Sequence, residues 1–149
     1  MKIGEEIKQP KFKSEYQKLL INIGYTSSWM ERFAAAKLKP YKLTPQQFNI
    51  LRILRGQRPN PATINLLTER MIDKSSNASR LVDKLVKKDF VKRQECPSDR
   101  RQVDVLINQK GLDLLAKIDK DEDVWLGEFQ GLSITEAKEL NRLLDKLRG

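Results

Sequence analysis

The sequence predicts a mainly α-helical fold that carries one small β-hairpin. Two observations predict the helices. Apolar residues recur at three- and four-residue spacing in most of the chain, and several of these stretches open on a Ser, Thr, Asp or Asn cap. A third predicts the hairpin: Val103, Val105 and Ile107 alternate strictly, just after the turn-forming run "ECPSDR". The 149 residues suit one domain with a core of its own.

The elements follow in order. A long helix is expected from about Ser14 to Lys39, with Ser14 and Gln17 as a capping box. Tyr16, Leu19, Leu20, Ile23, Met30 and Phe33 share helical spacing, and Tyr25 and Trp29 mark a second face. Two apolar faces on one helix imply that both are covered, one of them by a second chain. Thr44, Pro45 and Gln47 then open a helix whose inward face is Phe48, Leu51 and Leu54, with Ile50 beside them, and Gly56 is its expected stop. "QRPNP" is a turn. A short helix starts near Thr63 and carries Ile64, Leu67 and Met71.

The next helix, "IDKSSNASRLVDKLVKKDF", is expected to be capped by Asp73. Ala78, Leu81, Val82 and Leu85 fall on one side at 100° per residue. Asn77, Arg80, Lys84 and Lys88 fall on another stripe, with Ser76 at its edge. Most such stripes are ordinary solvated faces, but those mix charge signs, whereas here Asp83 and Asp89 sit off the stripe. Strands are expected at Phe90–Gln94 and Arg101–Ile107. Asn108 caps a helix that runs past Trp125. Ser133 and Glu136 cap a last helix striped by Ala137, Leu140, Leu143, Leu144 and Leu147.

Composition narrows the chemistry. There is no histidine and one cysteine, which removes the commonest general base, the commonest transition-metal ligand and any zinc site of paired cysteines. The glycines never cluster into a phosphate-cradling loop. No catalytic residue, metal or cofactor is expected, and the chain reads as a non-enzyme. No apolar run approaches the ~18 residues of a membrane span, and the N-terminus lacks the apolar stretch of a signal peptide. Together with the single cysteine this points to a cytoplasmic protein without membrane contact.

The formal charge of +9 is unevenly placed. Residues 1–72 carry 13 basic and 5 acidic side chains, a net +8, residues 73–110 a net +4, and residues 111–149 a net −3. A positive field over three quarters of the chain favours encounter with polyanions.

Two helices joined by a short turn and followed by a hairpin form a winged helix-turn-helix arrangement. An α-helix fits the major groove of B-DNA, and arginines on an adjacent hairpin can reach phosphates or the minor groove. Asp99 is expected to hold one wing arginine by an ion pair.

The stretch "SNASRLVDKLVKKDFVKRQECPSDRRQVDVLINQKG" resembles the recognition helix and wing of the MarR family of bacterial transcriptional regulators. Asp99 and Arg101 match the family's Asp-x-Arg, Val103, Val105 and Ile107 its strand, and Gly111 its Thr-x-x-Gly-like helix start, with Asn108 in place of Thr. "LTPQQFNILRIL" resembles its second helix. Asp89 replaces the glycine common at the end of the recognition helix, where a left-handed backbone is needed that Asp tolerates.

The resemblance implies one domain over 1–149. Residues of about 40–110 would form the winged lobe, and about 12–39 and 109–149 the helices of a homodimer. It implies a double-stranded DNA-binding regulator, a repressor, on an inverted-repeat operator. It also implies release by a small aromatic or anionic effector. Ser76, Asn77 and Arg80 would address bases, Lys74 and Lys84 phosphates, Thr63 and Asn65 the backbone, and Arg100 and Arg101, with Asp99, the wing contacts, while Ser75 belongs to the same DNA-binding set. Tyr25, Trp29, Phe33 and Phe48 are the candidate effector pocket. Cys96 lies at the wing, not in the first helix where the family's oxidation sensors carry theirs, and is expected to be passive. The other open readings are a winged-helix interaction module without DNA binding and, third, an RNA-binding role.

Overall fold

A hook precedes the first long helix. In the computed structural model, which describes residues 1–128 and 131–149, a single turn α1 (Ile3–Glu6) folds back against α2 (Glu15–Leu38). Ile3 is buried in the process, and the Tyr25 hydroxyl donates to the Glu6 carboxylate at 2.7 Å. Ser14 caps α2 by accepting from the Gln17 N–H. The expected box is incomplete: the Gln17 side chain accepts instead from the Lys13 N–H at 2.7 Å, one residue before the cap.

A 3₁₀ turn at Lys39–Tyr41 leads into α3 (Pro45–Gln57), where Thr44 and Gln47 make a full capping box. The helix continues through Gly56, so that glycine is not the stop; Gly56 keeps helical geometry and the chain turns at Arg58. Strand β1 (Ala62–Thr63) follows, then α4 (Ile64–Arg70), α5 (Ala78–Lys87), β2 (Val91–Cys96), β3 (Asp99–Ile107), α6 (Gln109–Gly127) and α7 (Ile134–Arg148).

The hairpin is part of a three-stranded antiparallel sheet in the order β1-β3-β2. Ala62 pairs with Val105 and Thr63 with Asp104. The two-residue β1 was not legible in the sequence, since two residues cannot show alternation. A register shift between Glu95 and Cys96 bends the end of the wing.

The core lies under α5 and the sheet. Ile50, Leu51 and Leu54 of α3 meet Leu67, Val82, Leu85, Val91, Val105, Leu115 and Ile118, all at most 2% exposed. Each such side chain contributes about 1.5–3 kcal/mol relative to an exposed position. The inward side of α5 is as expected: Ala78, Val82 and Leu85 are buried and Leu81 packs partly against them.

The end of α5 is fixed by backbone geometry. Asp89 takes φ +58°, the left-handed conformation expected of it. The Asn108 N–H donates to the Phe90 carbonyl at 3.1 Å and its side-chain amide to the Asp89 carbonyl at 2.8 Å. Asn108 also caps α6 through the Gly111 N–H. A Cβ on Gly111 would lie 2.5 Å from the Phe90 carbonyl oxygen, so only glycine permits this approach.

Helix α6 is tied to the first half of the chain by ion pairs. Arg55 holds Asp119 through two bonds of 2.6 and 3.2 Å, and Arg52 holds Glu122 at 2.8 Å. Lys37 is paired with Glu128, and the Tyr41 hydroxyl donates to Asp121. Helix α7 opens with the expected Ser133–Glu136 capping box. Three of its leucines stand out from the described residues: Leu140, Leu143 and Leu147 are 46–57% exposed, while Leu144 is half-buried.

Candidate nucleic-acid interface

Helix α5 is amphipathic, with its apolar side in the core and the opposite side in solvent. Its cap is Asn77, whose Oδ1 accepts from the Arg80 N–H at 3.0 Å. Asp73, the expected cap, lies four residues earlier and organises the preceding turn instead. Its carboxylate accepts from the Ser75 N–H at 2.9 Å, the Ser75 hydroxyl at 2.6 Å and the Ser76 hydroxyl at 2.9 Å. The Ser75 hydroxyl, then that of Ser76, hold the carboxyl below its usual range. Capping and turn formation therefore occupy part of the polar inventory of Ser75, Ser76 and Asn77. The carboxamide NH₂ of Asn77 is the donor its cap role leaves over.

Arg80 and Lys84 stand exposed on α5 without an ion pair among the described residues. Lys88 does not continue the stripe outward. Its ammonium donates to the Lys42 carbonyl and to the buried Gln47 side chain, so it locks the end of α5 to the start of α3. Thr63 caps α4 by accepting from the Leu66 N–H at 3.1 Å. Asn65 is exposed on α4 and shares a shallow depression with Thr68, Glu69 and Lys74. Lys74 donates to the Glu69 carbonyl.

The wing lies against α5. Arg93 on β2 is ion-paired to Asp83 on α5 and also reaches the Ser79 hydroxyl. Nothing in the residue pattern singled out Arg93, because the pair joins residues ten apart on two different elements. Arg100 and Arg101 are exposed near the tip. The expected ion pair with Asp99 does not form. Asp99 accepts from the Arg101 backbone N–H at 2.9 Å and from the Gln102 side chain at 3.2 Å. It shapes the turn and leaves both guanidinium groups to solvent. Cys96 is half-buried, with its sulfur 3.1 Å from the Ser98 hydroxyl.

Apart from Glu95, which is exposed on β2, the charges of this surface are sorted. Asp73, Asp83 and Asp99 each have partners within the fold, and Asp89 bonds Asn108 and faces Lys110 at 3.9 Å. Among the described residues Arg80, Lys84, Lys87, Lys92, Arg100 and Arg101 have no ion pair. The net field of α5 and the wing is therefore cationic and directed at solvent.

A cavity of about 580 Å³ lies between α2, α3 and α6. Phe33 and Phe48 line it as expected, with Met30, Arg52, Trp125 and Leu126. Tyr25 and Trp29 do not. Tyr25 is taken up by Glu6 near the hook, two turns away along α2. Trp29 is 42% exposed and stacks on Phe33, ring centroids 5.9 Å apart. Arg52, over the Phe48 ring at 5.6 Å, stands at the wall together with its ion-pair partner Glu122. Trp125 could have been found in the sequence as an aromatic isolated within the acidic run "DKDEDVW".

The model of the MarR family matches residues 43–103. The HTH-type transcriptional regulator MgrA of Staphylococcus aureus is 31% identical over 109 residues, 73% of this chain and 72% of that protein. Among solved structures, a mutant MarR of E. coli complexed with operator DNA superposes with a TM-score of 0.80 at 24% identity, covering 92% of this chain and 98% of that one. The organohalide-sensing regulator RdhR in its 2,4-dichlorophenol-bound form gives 0.81 at 20% identity, covering 94% and 85%. Among the described residues no helix is long and apolar enough to cross a membrane.

Proposed function

Since the chain belongs to the MarR family, whose members are transcription regulators, we propose that it works as a homodimer that binds double-stranded DNA in a sequence-specific way and represses transcription until a small molecule releases it. The observation that carries this reading is the sorted charge of the α5 and wing surface. Its aspartates are engaged within the fold while Arg80, Lys84, Arg100 and Arg101 remain unpaired. An ordinary solvated face mixes signs, and this excess of unpaired cations, against Glu95 alone among the wing's exposed acids, favours a phosphate-binding face.

Within this reading Arg80 and the Asn77 amide address base edges, with Ser75 and Ser76 forming the turn that presents them. Lys84 and Lys74 neutralise phosphates, Thr63 and Asn65 lie beside the backbone, and Arg100 and Arg101 serve the wing. Residues of about 40–110 form the lobe that docks, and about 12–39 and 109–149 the helices that join two copies. A two-fold pair of lobes selects an inverted repeat with half-sites about one helical turn apart. The effector is a small aromatic or anionic molecule held by Phe33, Phe48, Trp125 and Arg52. No enzymatic step is assigned, and the site of action is the cytoplasm.

Salt titration of binding to random duplex DNA tests the reading. A steep log–log slope is expected, about −0.9 for each phosphate neutralised. A flat slope, with no duplex retained, would leave an interaction module instead.

A further inference from the structure

The connection from α4 to α5 decides where the first turn of α5 stands. Met71 anchors its start by burial. Beyond Met71 the tie to α3 is polar. The Ile72 backbone N–H donates to Asn49 Oδ1 at 2.9 Å. From Asp73 onward the turn is hydrogen-bonded through Ser75 and Ser76, and Asn77, the next residue, caps α5. A displacement of Ile72 is therefore passed to the residues that begin α5.

Stability does not require an asparagine at position 49. Ile72 is 88% exposed, so water could satisfy its N–H. What the Asn49 bond adds is a fixed position. Asn49 and Ile72 are also both part of the cavity wall, beside Phe48 and Arg52. One carboxamide thus touches both the space open to a small molecule and the segment that carries the recognition helix.

We propose that Asn49 is a positioning residue for DNA reading: its side-chain oxygen sets the α4–α5 connection, and occupancy of the cavity changes sequence discrimination through this bond. The inference rests on the DNA-binding reading above. In Asn49→Leu, close in size but without an acceptor, the turn is freed and the cost falls on contacts that need exact placement. Phosphate contacts tolerate the movement better than bidentate base contacts.

The test uses the full-length dimer and a duplex selected by the wild type from a random pool. Asn49→Leu is expected to lower the ratio of selected to random affinity about tenfold, equal to about 1.4 kcal/mol, with random binding within twofold of wild type. Asn49→Asp keeps an acceptor and recovers at least half of that loss on a logarithmic scale. Hydrogen exchange at the Ile72 amide quickens in the Leu variant alone, which reports loss of the bond itself, while the split between selected and random affinity is what a purely structural role would not produce. Ala34→Phe, a cavity-filling change on α2, lowers the same ratio in the wild type but adds nothing to Asn49→Leu. A ratio unchanged in Asn49→Leu, or equal losses in the Leu and Asp variants, would overturn the positioning role. An inert Ala34→Phe, or additive losses, would overturn the link to the cavity. A wild type that selects no duplex at all would instead be a failure of the DNA-binding reading.

Discussion

Asp83 on α5 and Arg93 on β2 are ion-paired, and the second amino group of Arg93 lies 3.2 Å from the Ser79 hydroxyl. This is the one charged tie between the recognition helix and the wing among the described residues. Asp83 is exposed at 52% and the Arg93 side chain at 30%, so the pair contributes at most about 1 kcal/mol, and its consequence lies in where it holds the wing.

That relationship makes a prediction with a telling sign. Asp83→Asn removes a negative charge from a surface proposed to meet phosphate, and electrostatics alone would raise DNA affinity. If the pair positions the wing, affinity for the selected duplex falls instead, by about 1 kcal/mol, the scale of a partly exposed ion pair. Fluorescence anisotropy at fixed salt decides the matter. A gain in affinity would show that wing placement does not depend on Asp83.

Arg80 and Arg101 are predicted to fail in different ways. Arg80→Ala should cost about 1–3 kcal/mol on the selected site and flatten the preference at one base pair per half-site. Arg101→Ala should weaken all duplexes and lower the salt slope by about one unit per wing. Its residual sequence effect should follow A·T content through groove width. Equal loss of specific and random binding in Arg80→Ala, with only specificity changed in Arg101→Ala, would reverse the assignment.

Much of this interface was legible because it depends on periodicity and caps. The inward face of α5, the Asn108 cap and the capping boxes at Thr44 and Ser133 follow from spacing of a few residues, and the left-handed Asp89 from the family resemblance, in which glycine is common there. What could not be read depends on contacts between distant segments. Asp73 and Asn77 are both good cap residues four positions apart, and in the fold Asn77 caps α5, which begins at the buried Ala78. Asp99 beside two arginines suggests an ion pair, but a tight turn offers it a backbone N–H first. Tyr25, Trp29 and Phe33 have the spacing of one lining, yet the hook takes Tyr25 and only Phe33 reaches the cavity.

Acid should loosen the turn before α5. Asp73 has its carboxyl held below the ordinary value, chiefly by the Ser75 and Ser76 hydroxyls. A depressed folded value means that the stabilisation is fully present above the ordinary Asp range near 4, and is lost as pH falls through the depressed value. NMR titration of Ser75 and Ser76 amides in wild type should therefore show a midpoint below that of an ordinary Asp. In Asp73→Asn this transition should vanish. A wild-type midpoint at or above the ordinary value would contradict the role given to the two serines.

Gly111→Ala is predicted to destabilise the fold out of proportion to one methyl group. The added carbon would meet the Phe90 carbonyl at 2.5 Å and Ile107 Cγ1 at 2.7 Å, and the first is backbone that cannot rotate away. Overpacking of this kind costs about 1–3 kcal/mol. Denaturant melts should show the loss, whereas Gly56→Ala, with open space around it, should be neutral or slightly stabilising through helix propensity. Equal effects at the two glycines would deny the close approach of α6 to the end of α5.

The last prediction concerns the second copy. Leu140, Leu143 and Leu147 on α7 and Tyr16 and Leu20 on α2 are all more than 45% exposed in one chain. A helix held only by its own hydrogen bonds would be marginal at the 15 residues of α7. Its leucine stripe therefore needs cover, and a second chain in the proposed homodimer supplies it. Leu143→Glu places a charge at the centre of that stripe. Sedimentation should then show dissociation or aggregation at micromolar concentration, and the inverted-repeat duplex should lose far more affinity than a single half-site. Circular dichroism should lose helix signal where α7 frays without its partner. A Leu143→Glu protein that remained a dimer with wild-type helicity would place the interface elsewhere. A wild type that sedimented as a folded monomer would remove the two-fold pairing on which the inverted-repeat site depends.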